Sequence, residues 1–464
     1  MRLTAPVVEC FAGQRTWLRT IVLINALCIF IGCDSKRQDA SVVPGPDVQD
    51  AAVQKGDSTA ERSEQQESAP STKSTAKNLT QPATSEIVLN ADKLLAAALP
   101  EAALVEGWVR LFDTQTLHGW SIVGDANWQI ADGSILVDAG EQSYLCTNLS
   151  LSNYELKVDF RSDAQTNSGV FLRTQPEPTD VAEECLELNI APPDNPSPTG
   201  SFVQRKKLEP SDLGDFDPTQ WHTYHIRLDG DHVSVRLDDR LVMELEDSSS
   251  LRPGHISLQH NSGRVEFRNV LLRPISGQTL KLGDDWETDW TKSEKESDQL
   301  AVEVKQDGLH LQGGLGQLQS KSDWDNFILQ ASYTLAKPEV NSGIFFRCIR
   351  DNMLDGYECQ VNHSVINNDP MSPGDAGAGA IFRRQAARMV VGDGTQPTFL
   401  TLLAKSNYIY SWVNGIPVCE FFDQREADEN PRRGLRLAAG PISLQGHDPT
   451  TDVIYHRLSI SRIE

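Results

Sequence analysis

The chain has 464 residues, of which 42 are Lys or Arg and 65 are Asp or Glu, so its net charge is −23. This acidic surplus argues against nucleic acid as a partner and against docking on an anionic lipid surface through a basic patch. The hydrophobic content of 39% is too low for a protein that crosses a membrane many times. The length suits two or three domains.

The N-terminal residues 1–33 have the pattern of an export signal. Arginines precede the uncharged run 20–32, which is shorter than the roughly 20 residues that a helix needs to cross a bilayer. The run ends at Gly32 and Cys33, which resemble a lipobox whose cysteine is lipidated. The sequence predicts an exported lipoprotein, periplasmic or at the cell surface, that touches a membrane only through its lipid. An ordinary signal peptide that contains a cysteine is the alternative.

Residues 34–104 are predicted to form a disordered linker. The chain has no Phe, Trp or Tyr from residue 34 to residue 107, and small and polar residues dominate there. Such a segment cannot bury enough apolar surface to offset the entropy lost on ordering. Apolar residues cluster at 91–99, where we expect a short helix.

From residue 108 onward, short alternating segments such as 154–160 and 222–228 are separated by Gly, Pro, Asn and Asp. A period of two residues, without a long 3.6-residue pattern, indicates antiparallel β-sheets. Each half of this region is long enough for a jelly roll of about a dozen strands. We therefore predict an all-β fold.

An internal repeat divides the β-rich region into two copies. The repeated segments keep their order while the loops between them differ in length, and the period far exceeds the roughly 50 residues of solenoid repeats. Two tandem domains are therefore predicted, at 105–275 and 278–464. The matched segments are 167–173 with 341–347, Glu187 with Glu358, and 254–259 with 440–445.

The repeated motifs resemble those of the 3-keto-disaccharide hydrolase family. The motifs are Leu-Phe…Gly-Trp at 111–120, Asn-Ser-Gly…Arg in both copies, Gly-Tyr-Glu-x-Gln at 356–360, Leu-Gln-x-His at 444–447 and Phe-Arg-Asn at 267–269. The resemblance implies that each copy is a concanavalin A-like jelly-roll β-sandwich. It also implies a hydrolase that acts on 3-keto-disaccharides or related glycosides, with a carbohydrate as its partner.

Strand alternation predicts that the polar residues of each copy share one concave, solvent-facing side of a sheet. His447 lies two residues after Gln445 and can join that side, whereas His260 directly follows Gln259 and points the other way. The second copy therefore has the more complete set. The residues predicted to share a side are Arg347, Glu358, Gln360, Gln445 and His447 in the second copy, and Arg173, Glu187, Asn189 and Gln259 in the first.

The family's chemistry would start from a glycoside oxidised at C3. A base removes the C2 proton, β-elimination expels the C1 oxygen, and water adds to the enone. Glu358 is the predicted base, with Glu187 as its counterpart, His447 the acid or the partner of the base, and Arg347 the stabiliser of the enolate or anchor of the substrate. A divalent metal held by carboxylate and His is the alternative to Arg347. The predicted substrate-binding residues are Gln360, Gln445, Arg173, Asn189 and Gln259.

The same residues also have plain structural interpretations. An Arg beside a Glu on neighbouring strands commonly forms a cross-strand ion pair, and Asn-Ser-Gly commonly forms a tight turn before a strand. Cys348 and Cys359 are predicted to face away from the polar side, which leaves open whether they form a core pair or a disulfide. Because a fold does not fix a function, a non-catalytic, lectin-like carbohydrate-binding lipoprotein is the main alternative. A two-carboxylate glycosidase is a third, weaker hypothesis.

Overall fold

The computed structural model describes residues 89–247, 253–275, 277–292 and 298–464. The predicted export signal, Cys33 and most of the predicted linker lie outside the described residues. Within the described end of the linker, helix α1 spans Ala91–Ala96 and helix α2 spans Glu101–Glu106, so a short helix forms where the apolar residues cluster. None of the described helices is long and apolar enough to cross a bilayer.

The first copy is a β-sandwich built from two antiparallel sheets. Its described strands are β1 (Val109–Arg110), β2 (Trp120–Val123), β3 (Gln129–Ala131), β4 (Ser134–Val137), β5 (Ser143–Thr147), β6 (Tyr154–Ser162), β7 (Asn167–Thr174), β8 (Leu186–Ile190), β9 (His222–Asp229), β10 (His232–Leu237), β11 (Arg240–Glu246), β12 (His255–Ser262) and β13 (Val265–Pro274). The smaller sheet has the order β2-β5-β12-β7-β8, and the larger has the order β11-β10-β9-β6-β13-β4-β3 with β1 beside β13. Helix α3 (Val181–Glu184) and a 3-10 turn (Pro210–Leu213) lie in its loops.

The second copy is also a sandwich of two antiparallel sheets. Its described strands are β14 (Gln278–Thr279), β15 (Trp290–Lys292), β16 (Ala301–Lys305), β17 (Gly308–Gln312), β18 (Gly316–Trp324), β19 (Phe327–Leu335), β20 (Ser342–Phe346), β21 (Tyr357–Val361), β22 (Val365–Ile366), β23 (Asp369–Pro373), β24 (Thr398–Lys405), β25 (Tyr408–Val413), β26 (Ile416–Phe422), β27 (Gly440–Gly446) and β28 (Asp452–Arg462). The sheet orders are β15-β18-β27-β20-β21 and β16-β17-β28-β19-β24-β25-β26, with β14 beside β28. A 3-10 turn spans Trp286–Thr288.

The two copies have the same topology. Strands β14 to β21 take the places of β1 to β8, and β24 to β28 take those of β9 to β13, while the hairpin β22-β23 is an addition to the second copy. This correspondence confirms the predicted all-β fold of two tandem jelly-roll sandwiches.

Alternation along the strands builds the cores. In β6, Tyr154, Leu156, Val158 and Phe160 are fully buried in the first core, while the residues between them face outward or are half-buried. Burial of each such side chain contributes about 1.5–3 kcal/mol. The equivalent strand β19 repeats the pattern in the second core.

The two sandwiches pack against each other. Tyr410 and Trp412, on the outer side of the second copy's larger sheet, belong to the hydrophobic cluster of the first copy. Trp412 Nε1 donates a hydrogen bond of 2.7 Å to the carbonyl of Arg110. Arg388 Nη2 lies 2.6 Å from Asp113 Oδ2, which belongs to the first copy. The described copies therefore share apolar and ionic contacts.

Candidate active site

Two rows of side chains cross the smaller sheet of the second copy on the side turned away from its core; we name this side the Glu358 face. Glu358 pairs with Phe345, and Gln360 pairs with Gly343 on the neighbouring strand. The strand on the other side of β20 adds Gln445 to the same face. The first row consists of Gln317, Gln445, Gly343 and Gln360. The second row consists of Gln319, Ser443, Phe345 and Glu358.

The first copy has the equivalent arrangement, which we name the Glu187 face. The structure thus brings Glu187, Asn189 and Gln259 together, as it does Glu358, Gln360 and Gln445 in the second copy. His260 points to the opposite side, where its Nε2 lies 3.1 Å from the carbonyl of Gly263. The first row of this copy consists of Tyr144, Gln259, Gly169 and Asn189. Its second row consists of Cys146, Ser257, Phe171 and Glu187.

The Asn-Ser-Gly motif makes room for the carboxylate. The interpretation of this motif as a tight turn is wrong, because Ser342 and Gly343 belong to strand β20. A Cβ at Gly343 would lie 3.0 Å from Glu358 Oε1 and 3.1 Å from its Cγ. At Gly169 of the first copy, a Cβ would lie 3.3 Å from Glu187 Cγ. A side chain at either glycine would therefore press on the acid of the adjacent strand, which would have to shift by a few tenths of an ångström.

Glu358 is the best-placed acid on this face. Its exposed fraction is 6%, and Arg432 Nη2 lies 3.5 Å from its Oε2. Burial raises the pKa of Glu358 to about 7, although the positive charges of Arg432, His447 and Arg383 oppose this shift. The carboxylate lines a cavity of about 180 Å³. A carboxylate with a pKa near neutrality can both accept and return a proton.

The side-chain amides of Gln360 and Gln445 beside this acid have oxygen atoms that accept no hydrogen bond from the described residues. Gln360 Nε2 donates to Asp375 Oδ2 at 2.8 Å and to Asn341 Oδ1 at 3.2 Å, which fixes the orientation of the amide. Its Oε1 and that of Gln445 are buried without a hydrogen-bond partner among the described residues. Such an acceptor costs about 1–3 kcal/mol, which a donating ligand would offset. In the first copy, Asn189 Oδ1 and Gln259 Oε1 are likewise buried without a hydrogen-bond partner among the described residues.

The Glu358 face is covered rather than open to solvent. Glu358, Gln360 and Gln445 are all buried, so the expected solvent-facing surface is wrong in this respect. The loop 423–439, between β26 and β27, carries Arg432 to the face, and the turn 381–385 beside strand β21 carries Arg383.

His447 lies just beyond the end of strand β27. The strand ends at Gly446, and the exposed ring of His447 has its Nδ1 2.9 Å from Asp448 Oδ2. Its backbone amide donates to Thr451 Oγ1 at 2.9 Å. A charge on His447 is near enough to lower the pKa of Glu358. His447 therefore lies at the margin of the site.

Arg347 does not join Glu358, so its predicted position is wrong. Its φ of +48° is left-handed and ends the alternation of strand β20. The side chain is fully buried, donating from Nε to the carbonyl of Asp325 at 2.8 Å and from Nη1 to that of Ser406 at 2.7 Å. Arg347 therefore fixes loops and is not available to a substrate.

Arg173 corresponds to Arg347 in conformation and contacts, so its predicted position on the Glu187 face is also wrong. Its φ is +48°, and its Nε and Nη2 donate to the carbonyls of Ser152 and Gly230 at 2.8 and 2.7 Å. The two arginines are a duplicated structural element. In both copies the guanidinium binds backbone carbonyls of loops.

The same break in alternation separates the two cysteines. Cys348 packs with Phe345 and Leu354, whereas Cys359 lies in the second core. Both thiols are free. The prediction that they face the same way, as a core pair or a disulfide, is therefore wrong.

Sequence reasoning missed Arg432, Arg383 and Asp375, which all lie in loops and follow no strand period. The available signal was composition, because the loop 423–439 holds several arginines in an acidic chain. More residues separate β26 from β27 than separate β11 from β12 in the first copy. In the described ranges, no three His, Cys, Asp or Glu side chains are grouped so that they could hold a metal ion.

No curated protein matches the sequence. A solved candidate glycosyl hydrolase from Parabacteroides distasonis is 19% identical over 39% of this chain and 99% of its own, with a TM-score of 0.34. The carbohydrate-binding module CBM66 from Bacillus subtilis is 16% identical over 33% of this chain and 95% of its own, with a TM-score of 0.26.

The family comparison covers most of the β-rich region. The 3-keto-alpha-glucoside-1,2-lyase-like domain matches the chain twice, at residues 107–273 and 277–460. The two matches coincide with the two sandwiches and agree with the resemblance of the motifs. The chain therefore belongs to the family of 3-keto-alpha-glucoside-1,2-lyase-like domains and carries two of them in tandem.

Proposed function

We propose that the second copy is a hydrolase that cleaves 3-keto-glycosides by elimination and hydration, with Glu358 as its general base. The observation that carries this proposal is the carboxylate of Glu358, buried at a cavity with its pKa raised to about 7. Family membership assigns the chain a glycosyl hydrolase-like or carbohydrate-binding function.

The proposed reaction has two steps. Glu358 takes the C2 proton, which the C3 ketone acidifies, and the electrons of the C2–H bond form a C1=C2 double bond as the C1–O bond breaks. The leaving oxygen takes a proton. Water then adds its oxygen to C1 and a proton to C2. One water is consumed and one glycosidic bond is cleaved.

Arg432, rather than the predicted Arg347, is the proposed stabiliser of the enolate. Its guanidinium lies 5.3 Å from the centre of the Phe345 ring and 3.5 Å from Glu358 Oε2, which holds a positive charge over the face. A fixed cation stabilises negative charge that develops on an enolate oxygen. His447 is the proposed proton donor to the leaving oxygen.

Gln360 and Gln445 are proposed to orient the sugar. Their unpaired oxygens flank Gly343, where a Cβ would lie 3.2 Å from Gln445 Oε1. Sugar hydroxyls are donors that could satisfy both oxygens, and such fixed contacts position a substrate for reaction.

The first copy is proposed to bind or to support rather than to cleave. Burial raises the pKa of Glu187 to about 7 as well. However, no ion pair of Glu187 occurs among the described residues, whereas Arg432 lies 3.5 Å from Glu358.

The test is product analysis with paired glycosides, one plain and one oxidised at C3, in D₂O. Turnover of the 3-keto form alone, with one deuterium incorporated at C2 of the product, supports the proposal. An enzyme-free incubation of the 3-keto product corrects for spontaneous exchange. Equal turnover of the plain glycoside would contradict it, and tight binding without turnover of either form would instead favour the lectin-like function.

A further inference from the structure

We infer that the cavity at Glu358 recognises a sugar that carries a carboxylate or sulfate ester, through Arg383, Arg384 and Arg432. The inference rests on the proposed function in that it takes the ligand to be a sugar. The cavity of about 180 Å³ is lined by these three arginines and by a single acid, Glu358. This concentration of positive charge stands out in a chain with a net charge of −23.

Arg384 forms its side-chain hydrogen bonds with backbone carbonyls. Its Nη1 donates to the carbonyl of Arg383 at 3.0 Å, and its Nη2 donates to the carbonyl of Arg432. No carboxylate pairs with it in the part of the chain that the structure describes. Burial and the neighbouring charges of Arg425 and Arg432 lower the pKa of Arg384, although the charge of Asp423 opposes this shift. An anion bound in the cavity would relieve this repulsion.

Arg383 is also available to a ligand. It is exposed, and its guanidinium lies 5.4 Å from the centre of the Phe382 ring. It makes neither a hydrogen bond nor an ion pair with its side chain in the described ranges. Arginine presents two parallel N–H groups that match a carboxylate or sulfate.

Arg432 is shared between the acid and the cavity. Its Nε donates to the carbonyl of Leu354 at 3.0 Å, which fixes the side chain, while Nη2 stands 3.5 Å from Glu358 Oε2. One carboxylate cannot neutralise three guanidinium groups. The remaining positive charge adjoins the polar rows of the face, where the sugar ring would lie.

The first copy provides an internal comparison. The turn Phe202–Lys206 corresponds to Ile381–Gln385, since each closes with a bridge to the last strand of its smaller sheet. Gln204, with a φ of +60°, therefore occupies the position of Arg383, with a φ of +59°. Arg205 takes the place of Arg384, its Nη2 donating to the carbonyls of Ala182 and Cys185. The described difference between the two turns is therefore the arginine at position 383.

The test measures binding of three monosaccharides to the full chain by calorimetry. The ligands are methyl glucoside, methyl glucuronide and glucose 6-sulfate. We expect the two charged sugars to bind at least about tenfold more tightly than methyl glucoside at low salt, with the preference falling as salt is raised. Arg383→Gln and Arg432→Gln should each reduce the preference several-fold.

A swap of residues between the copies is the matched control. Arg383→Gln combined with Gln204→Arg keeps the net charge and moves one arginine to the first copy. The double variant should show the same several-fold reduction of the preference as Arg383→Gln, whereas Gln204→Arg alone should retain the full preference. A preference that survives the swap would overturn the inference, because it would then reflect charge elsewhere.

The remaining outcomes separate this inference from the proposed function. Equal affinity for charged and neutral sugars overturns the inference even where 3-keto-glycosides are turned over through Glu358. Inorganic sulfate that binds as tightly as glucose 6-sulfate overturns the recognition of a sugar. Preferential binding of charged sugars without turnover of any 3-keto-glycoside supports the inference and contradicts the proposed hydrolase.

Discussion

Arg432 Nη2 lies 3.5 Å from Glu358 Oε2, and no cation of the described first copy stands in an equivalent place beside Glu187. The two acids are otherwise alike, with exposed fractions of 6% and 7%. Both lie next to a strand glycine and both have a pKa raised to about 7. The duplicated sheet therefore supplies a buried acid twice, and among the described residues only the acid of the second copy has a cation beside it.

The first prediction concerns stability and pH. Burial raises the pKa of Glu358 from 4.5 to about 7. The contribution of the protonated acid to the stability of the fold is therefore fully present below pH 4.5 and is lost as the pH rises through 7, where the buried group must ionise. Glu358→Gln should therefore increase the free energy of unfolding at pH 8 by up to about 3 kcal/mol, but not at pH 4.5. Denaturant titrations at the two pH values measure the difference.

Glu155→Gln is the control of opposite sign. His225, Arg273 and Arg227 bind the Glu155 carboxylate, and its pKa is lowered to about 2 despite the opposing effect of burial. The contribution of Glu155 is present above pH 4.5 and is lost as the pH falls through 2. This variant should be less stable than the wild type at pH 8. If both variants shifted stability in the same direction there, the interpretation of Glu358 as a destabilised acid would fail.

Strand alternation was a sound guide wherever the chain stays in a strand. Glu358, Gln360 and Gln445 share a face because side chains two residues apart point the same way and neighbouring strands are in register. Alternation failed at Arg347, whose left-handed φ turns the chain out of the strand. Arg432 could not be placed, since a loop has no period that fixes the direction of a side chain.

The second prediction concerns the buried arginines. Arg347→Met should lower the free energy of unfolding by several kcal/mol, about 1–3 for each carbonyl left unsatisfied. Arg173→Met should have a comparable effect, because its bonds to backbone carbonyls are equivalent. Chemical denaturation measures both. Sugar affinity in the folded variants should not change, and a selective loss of affinity for Arg347→Met would restore this residue to the binding site.

The third prediction concerns the contact between the copies. Arg388 and Asp113 form an ion pair of 2.6 Å, with the side chains 13% and 1% exposed. Asp113→Asn leaves a largely buried cation without its partner, which typically costs about 3–5 kcal/mol. Calorimetry should show a lower melting temperature, with the two copies beginning to unfold separately.

An exposed pair is the control for this variant. Arg227 and Asp229 also form an ion pair of 2.6 Å, but their side chains are 40% and 49% exposed. Asp229→Asn should therefore cost less than about 1 kcal/mol. Equal melting temperatures for the two variants would show that the Asp113 contact does not hold the copies together.

The fourth prediction concerns export, which rests on Gly32 and Cys33 at the end of the uncharged run. We propose that Cys33 is lipidated and that the protein is held at a membrane on the far side of the export machinery. Cys33→Ser should release it into the soluble fraction of a bacterial host and abolish acyl labelling. Retention of Cys33→Ser in the membrane, with no label on the wild type, would contradict the anchor.

The last prediction decides which copy is catalytic. Glu358→Gln should lower turnover of a 3-keto-glycoside by about 10² to 10⁴, the typical contribution of a positioned general base. Glu187→Gln should have a much smaller effect, because no described cation accompanies that acid. Both variants should fold, since each replaces a buried acid with an uncharged group of the same shape, and their melting transitions verify this. An inactive Glu187→Gln beside an active Glu358→Gln would transfer the catalytic function to the first copy and leave the arginine cavity without a catalytic acid.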